Sequence, residues 1–155
     1  MDHEYWMKMA YREAERAYEQ NEIPVGAIVV FENRIIGRGY NQVEMLTDPT
    51  AHAEMIAITA AVSTLGSKWL NGATLYVTLE PCSMCAGAMV LARFDALVFG
   101  APDPKTGACG SIANIVQNDR LNHRLEVVGG VYQDYCSAIL RDFFLKLRKS
   151  PRSEV

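Results

Sequence analysis

From Glu4 to about Gln20 the apolar residues Trp6, Met9, Ala10, Ala14 and Ala17 return at helical spacing, with Lys8, Arg12, Glu15, Arg16 and Glu19 on the remaining surface. The pattern predicts an amphipathic helix that buries one face. Ile23, Pro24 and Val25 lead into VGAIVVF, a β-branched run, and the turn residues Glu32 and Asn33 separate it from a second run over Arg34 to Tyr40. The two runs read as a β-hairpin, with Gly26 and Gly39 placed where a missing side chain lets another backbone or a ligand come close. A polar stretch from Asn41 to Thr47 precedes Asp48-Pro49, an N-cap and first-turn pair that predicts a helix starting just before His52. Its body, AHAEMIAITAAV, is apolar nearly all round, which implies burial against a sheet. After Gly66 and Asn71-Gly72, ATLYVTL predicts a strand, Pro81 opens a second helix over CSMCAGAMVLAR, and DALVFGA predicts the next strand. Ala101 to Asn122 is a long mixed loop of the kind that carries function, His123 to Val128 a last strand, and Gln133 to Lys149 a closing helix. This order predicts a three-layer α/β/α domain around a mixed five-stranded sheet, with parallel βαβ units and the hairpin as the antiparallel part.

Composition narrows the class. A chain of 155 residues has the size of one domain, so residues 1–155 are expected to form a single unit. With 50% hydrophobic residues it can bury roughly 70% of its unfolded surface, which excludes global disorder. No apolar run approaches the roughly 20 residues of a bilayer span, and the opening MDHEYWMKMAYREAER carries acids instead of a basic-then-apolar leader; a soluble cytoplasmic protein is the expectation. The formal net charge of -3 excludes polyanion binding by bulk charge, so any nucleic-acid contact needs a local basic patch.

Of the four cysteines, Cys82 and Cys85 form a CxxC pair, while Cys109 and Cys136 stand alone and read as small apolar residues. His52-Ala53-Glu54 and Pro81-Cys82-Ser83-Met84-Cys85 each open a predicted buried helix, so two helix N-termini can face one point beyond the carboxyl ends of parallel strands. Helix N-termini favour thiolates. Two thiolates and a neutral imidazole, from Cys82, Cys85 and His52, cancel the charge of Zn²⁺ and supply three of the four ligands of a tetrahedron. Water in the fourth place would ionise at a pKa near 7. Glu54 then suits a proton shuttle instead of a ligand. A CxxC pair alone serves structural zinc or redox chemistry about as often. Neither alternative accounts for the His-x-Glu half, and none of His3, His123, Cys109 or Cys136 completes a knuckle spacing.

H-x-E followed by P-C-x-x-C is the zinc deaminase signature, and the chain resembles the bacterial tRNA-specific adenosine deaminase family, within the cytidine-deaminase-like superfamily, from about Glu4 to Arg148. The segments PVGAIVV, DPTAHAE, TLYVTLEPCSMCAGAM, FGAPDPKTG, LNHR and RDFF carry the resemblance. It implies hydrolytic deamination of adenosine to inosine at the wobble position of an arginine tRNA anticodon, with one zinc per chain, water attack at C6 and Glu54 protonating N1 and then the departing amine. It further implies that Asn41 hydrogen-bonds the base or its sugar, that Ala53 offers backbone contacts to the base, that Asp103 meets the anticodon-loop ribose or backbone, and that Asn122, His123 and Arg124 line the RNA groove. Asn41 is equally an ordinary turn residue, Asp103 suits capping of a Pro-flanked loop, and His123 can begin a strand.

The terminal segment RDFFLKLRKSPR sets Arg141, Lys146, Arg148, Lys149 and Arg152 against Asp142, a local basic patch interleaved with Phe143 and Phe144 that suits phosphate contact and stacking on unpaired bases. A closing amphipathic helix with core phenylalanines and solvated basic residues explains the same segment. The family also implies a homodimer, for which the helix from Cys82 to Arg93 offers an alanine- and methionine-rich surface. Two rivals stand beside this reading. One is a deaminase of a free nucleobase or nucleoside such as guanine or cytosine, with the same zinc and Glu54 in a closed pocket. The other is a silent RNA-binding scaffold that keeps zinc for folding, which has no use for Glu54.

Overall fold

Glu32 and Asn33 both take left-handed backbone (φ 49° and 61°), the conformation a two-residue hairpin turn requires, and they join β1 (Gly26–Phe31) to β2 (Arg34–Tyr40). In the computed structural model, which describes residues 2–149, this hairpin is one edge of a five-stranded sheet. The remaining strands are β3 (Thr74–Leu79), β4 (Ala96–Ala101) and β5 (Glu126–Val128), and the order across the sheet is β2-β1-β3-β4-β5. β1 is antiparallel to β2 and β3, whereas β3, β4 and β5 run parallel. The mixed α/β/α sandwich predicted above is therefore the fold observed.

Strand alternation divides the core in two. Ala27, Val29, Leu75, Val77, Leu97 and Phe99 face one layer, formed by α3 (Ala53–Leu65) and α4 (Ser83–Ala92). Ile28, Val30, Tyr76 and Val98 face the other, formed by α1 (His3–Glu19) and α5 (Gln133–Lys149). On α1 the inward face is Trp6, Met7, Ala10, Glu13, Ala14 and Ala17, so Met7 takes the deep position that spacing suggested for Met9. On α3 the inward stripe is Ala53, Ala57 and Ala61, one residue per turn.

The small residues set how closely helices approach the sheet. A Cβ on Gly39 would lie 2.3 Å from the Ala53 carbonyl oxygen, and one on Gly26 would lie 2.1 Å from that of Ala10. It is thus helix backbone, not ligand, that occupies the space these glycines leave. Gly39→Ala is expected to force α3 off the sheet at the turn that carries Glu54, lowering stability by about 3 kcal/mol. The shift of the urea unfolding midpoint checks this.

Four local expectations are corrected by competing hydrogen bonds. Asp48 does not cap α3: its Oδ1 accepts from the Thr50 N–H (2.8 Å) and hydroxyl (2.7 Å), closing a local turn, and His52 takes the N-cap position. Pro81 likewise precedes α4, whose N-cap is Cys82. The stretch after β2 contains a short helix, α2 (Val43–Leu46), with the Glu22 carboxylate accepting the N–H groups of Glu44 (2.9 Å) and Met45 (2.7 Å). Finally, β5 starts only at Glu126, because β4 begins opposite it at Ala96 and the Leu125 N–H donates to the Val116 carbonyl instead of to the sheet. Among the described residues no helix is long and apolar enough to cross a membrane.

Candidate active site

The chain leaves β3 at Leu79 and β4 at Ala101, on the side where α3 and α4 begin, so the carboxyl ends of parallel strands and two helix N-termini converge. Both N-cap residues, His52 and Cys82, have extended backbone, and the His52 side chain makes no capping bond to α3. Each is free to face the other. His52 Nδ1 lies 3.5 Å from the Cys82 Sγ and 3.6 Å from the Cys85 Sγ, and the three donor atoms all fall within 4.8 Å of one another. Zinc bonds of roughly 2.3 Å to sulfur and 2.0–2.1 Å to nitrogen at tetrahedral angles place such atoms about 3.5 Å apart, so the donor set fits that ion.

Charge is already arranged for metal binding. Hydrogen bonds from Cys85 and then His52 pull the Cys82 thiol down to about 3, and the Cys85 thiol, as donor to that sulfur and buried besides, is pushed up. The hydrogen bond to Cys82 raises His52 in turn. One thiolate thus faces the imidazole, and a dication at the trio can take the place of the Cys85 proton. Glu54, on the first turn of α3 and 4% exposed, is raised to about 7, chiefly by burial, against the lowering effects of its own backbone N–H and of His52. A carboxyl that titrates near neutrality beside the trio can both take and return a proton.

These groups open into a cavity of about 510 Å³. His52, Ala53, Glu54 and Cys82 form its floor, and Asn41, Asp103, Phe143 and Phe144 line its walls. Asn41 is 7% exposed; its Nδ2 donates to the Ile23 carbonyl at 3.3 Å, which fixes the amide's orientation and leaves Oδ1 buried without a partner.

A profile of MafB19-like deaminases matches residues 1–148. The tRNA-specific adenosine deaminase of Bacillus subtilis (strain 168) is 49% identical over 150 residues, 97% of this chain and 93% of that protein. That of Aquifex aeolicus (strain VF5) is also 49% identical, over 97% of this chain and 99% of its own length. This chain belongs to the tRNA-specific adenosine deaminase family. A solved structure from work on A-to-I editing by tRNA:A34 deaminases at the wobble position of transfer RNA superposes with a TM-score of 0.84 at 42% identity, covering 88% of this chain and 99% of that one.

The enzyme's other sequence-derived residues divide by position. Asp103 lines the cavity and also caps its own loop, Oδ1 accepting from the Lys105 and Thr106 N–H groups and Oδ2 from the Thr106 hydroxyl. Phe143 is buried against Tyr18, with ring centroids 5.9 Å apart, and Phe144 is 37% exposed at the cavity wall. Arg148 is exposed on α5, one residue beyond Leu147 of the wall. Lys146 pairs with Asp142 at 3.3 Å, and Arg152 lies outside the described residues. Asn122, His123 and Arg124 are not brought to the cavity. His123 Nε2 donates to the Phe94 carbonyl at 2.6 Å and Arg124 pairs with Asp119, at the end of the sheet where β4 and β5 begin. Cys109 and Cys136 are buried free thiols, each pushed up to about 12 chiefly by burial, which makes them inert.

Two buried carboxylates at this site were not singled out from the sequence. Glu22, besides holding α2, lines the cavity. Glu80, one residue past β3, accepts from the backbone N–H groups of Asp103, Cys109 and Ser111. Burial pushes the Glu80 carboxyl up, but the Ser111 hydroxyl and these N–H groups outweigh it and hold it below 4.5. Its contribution to stability is therefore present above that value and lost as pH falls through the lowered one. The LEPC segment was the available signal for Glu80: an acid just before a buried helix start needs partners.

Proposed function

We propose that this enzyme hydrolytically deaminates adenosine to inosine at the wobble position of a tRNA anticodon, that of an arginine tRNA by resemblance. The observation that carries the reading is the cavity itself, which is lined by Asn41, whose buried amide oxygen has no partner among the described residues, together with Glu54 and two members of the donor trio, His52 and Cys82. The named relatives, nearly half identical over almost the whole chain, supply the substrate class.

His52, Cys82 and Cys85 would hold one zinc per chain. When bound, that ion supplies a water acidic enough to ionise near neutral pH. The protein's own groups act around it. Glu54 takes a proton from the attacking water at its carboxylate and delivers it to N1 of the adenine as the oxygen bonds to C6, then takes the proton of the new C6 hydroxyl and passes it to the amine, which leaves as ammonia when the C6–N bond breaks. Asn41 Oδ1 accepts from the flipped base or its ribose, and the Ala53 backbone borders the base. Asp103 meets the sugar-phosphate chain beside it. Phe144, at the outer wall, offers a face on which a neighbouring unstacked base rests, with Phe143 behind it and Arg148 in reach of phosphate. Asn122, His123 and Arg124 stand apart from this cavity, so their part in RNA binding rests on the family resemblance alone.

A homodimer belongs to the same reading. Met84, Ala88 and Leu91 share one face of α4, and Leu91 is 79% exposed, so this is the apolar face such a dimer would bury. A cytoplasmic location follows from the proposed substrate. Incubating the purified enzyme with arginine tRNA and sequencing the product tests the proposal: the first anticodon adenosine should read as guanosine, as inosine does, with the other adenosines unchanged. The free-nucleobase alternative has no comparable support among the relatives described.

A further inference from the structure

The segment between β4 and β5 has almost no regular backbone pairing, only the Cys109–Asn114 bridge, yet it supplies Asp103 and Thr106 to the cavity wall. Its N–H groups need acceptors. One side chain from outside the loop takes three of them and a hydroxyl besides: Glu80 Oε1 accepts from the Asp103 N–H (3.0 Å) and the Ser111 hydroxyl (2.5 Å), and Oε2 accepts from the N–H groups of Cys109 (3.1 Å) and Ser111 (3.0 Å). Hydrogen bonds to an ionised carboxylate are roughly twice as strong as neutral ones, so four on one group make a stiff node. The loop is shaped to receive it. A Cβ on Gly107 would fall 2.3 Å from Glu80 Cδ and 2.4 Å from Oε2, so the carboxylate fills the space that this glycine leaves. The node is also tied to the metal-ligand turn, because the Glu80 N–H donates to the Ala101 carbonyl and the next carbonyl, that of Pro81, accepts from the Ala108 N–H, both at 2.8 Å. Cys82 follows directly.

We infer that Glu80 is a positioning residue for the RNA substrate: it fixes the wall that carries Asp103 and Thr106 at a set distance from the floor that carries His52, Glu54 and Cys82. Glu80 borders the cavity, but all four bonds of its carboxylate run to the loop. The inference rests on the function proposed above. Its consequence is a loss of substrate binding on mutation, with the proton chemistry at Glu54 left in place.

Steady-state kinetics on an anticodon stem-loop RNA, with zinc measured on the same samples, compares wild type, Glu80→Gln and Ser111→Ala. Glutamine keeps the size but accepts through one oxygen only and turns an NH₂ toward backbone donors. Its KM should rise about tenfold while kcat stays within about threefold and the zinc content is unchanged. Ser111→Ala removes one hydroxyl donor and should shift KM in the same direction by about threefold, and this milder variant decides the matter if Glu80→Gln does not fold. A fall in kcat or zinc content with KM unmoved overturns the inference, because Glu80 would then serve the metal ligands alone; unchanged kinetics in the folded variants overturn it as well. If the wild type does not act on RNA at all, the functional reading fails and this inference with it, whereas an active wild type with an unmoved variant KM sinks this inference only.

Discussion

Replacing Glu54 with glutamine is expected to reduce single-turnover deamination by about 10²- to 10⁴-fold while leaving the metal content unchanged. The side chain lies outside the donor trio, so the ligands keep their arrangement. The substitute fills the same volume but has no proton to move. The variant also carries a stability signature that separates a lost proton shuttle from a damaged fold. In metal-free protein the Glu54 carboxyl is raised from 4.5 to about 7, chiefly by burial. The folded state therefore binds more protons than the unfolded one between those values, and this group's contribution to stability falls as pH rises through that window. A neutral amide has no such penalty, so metal-free Glu54→Gln should be more stable than metal-free wild type above about pH 7, and the difference should shrink toward pH 4.5. Urea unfolding of both proteins across that range reads it directly. A variant that unfolds more easily than wild type at high pH would mean that Glu54 holds the structure together instead of serving the reaction.

Removing the metal, or one of its ligands, should have the second largest effect, because His52 and Cys82 are at once donors and the N-caps of α3 and α4. A helix N-cap usually satisfies N–H groups of its own first turn; the His52 side chain is turned to the trio instead, and the Cys82 sulfur is shared between Cys85 and His52, so the helix starts depend on what the trio binds. Chelation should abolish turnover and restoring zinc should return it. A ligand that binds only the folded state stabilises it by about 4 kcal/mol at a thousandfold excess over its Kd. The thermal midpoint should therefore fall on chelation and recover with zinc. Cys82→Ser should behave as chelated protein that zinc no longer rescues. Metal content and a thermal melt on each sample check this, and an unchanged melting point would count against a metal held by these residues.

Much of this was legible in the chain because the relevant signals are local. Alternation over VGAIVVF and ATLYVTL, the Glu32-Asn33 turn and the apolar helix bodies each report their own element, and their order points to one fold class. The ligand trio was legible for the same reason, since His-x-Glu and Pro-Cys-x-x-Cys each sit at a single helix start. What escaped depends on partners far along the chain. Nothing between Val43 and Leu46 announces a helix, because the group that caps it is Glu22, more than 20 residues earlier. Asp48-Pro49 has the form of a helix start, but Thr50 offers the carboxylate a nearer pair of donors. His123 lies in a segment of strand-like composition, but its neighbour β4 begins only opposite Glu126, and the Leu125 N–H is taken by the Val116 carbonyl. The unpartnered Asn41 oxygen and the four bonds of Glu80 likewise exist only once β1, β2, β3 and the long loop have met.

A side-by-side assay is the most direct measurement: arginine tRNA, the isolated anticodon stem-loop, and free adenine, guanine, cytosine and cytidine, each incubated with the zinc-loaded enzyme and followed by ammonia release and RNA sequencing. Inosine at the first anticodon position of both RNAs, with the free bases and the nucleoside untouched, is the result this account predicts. Ammonia released from a free base while the tRNA stays unedited would contradict it.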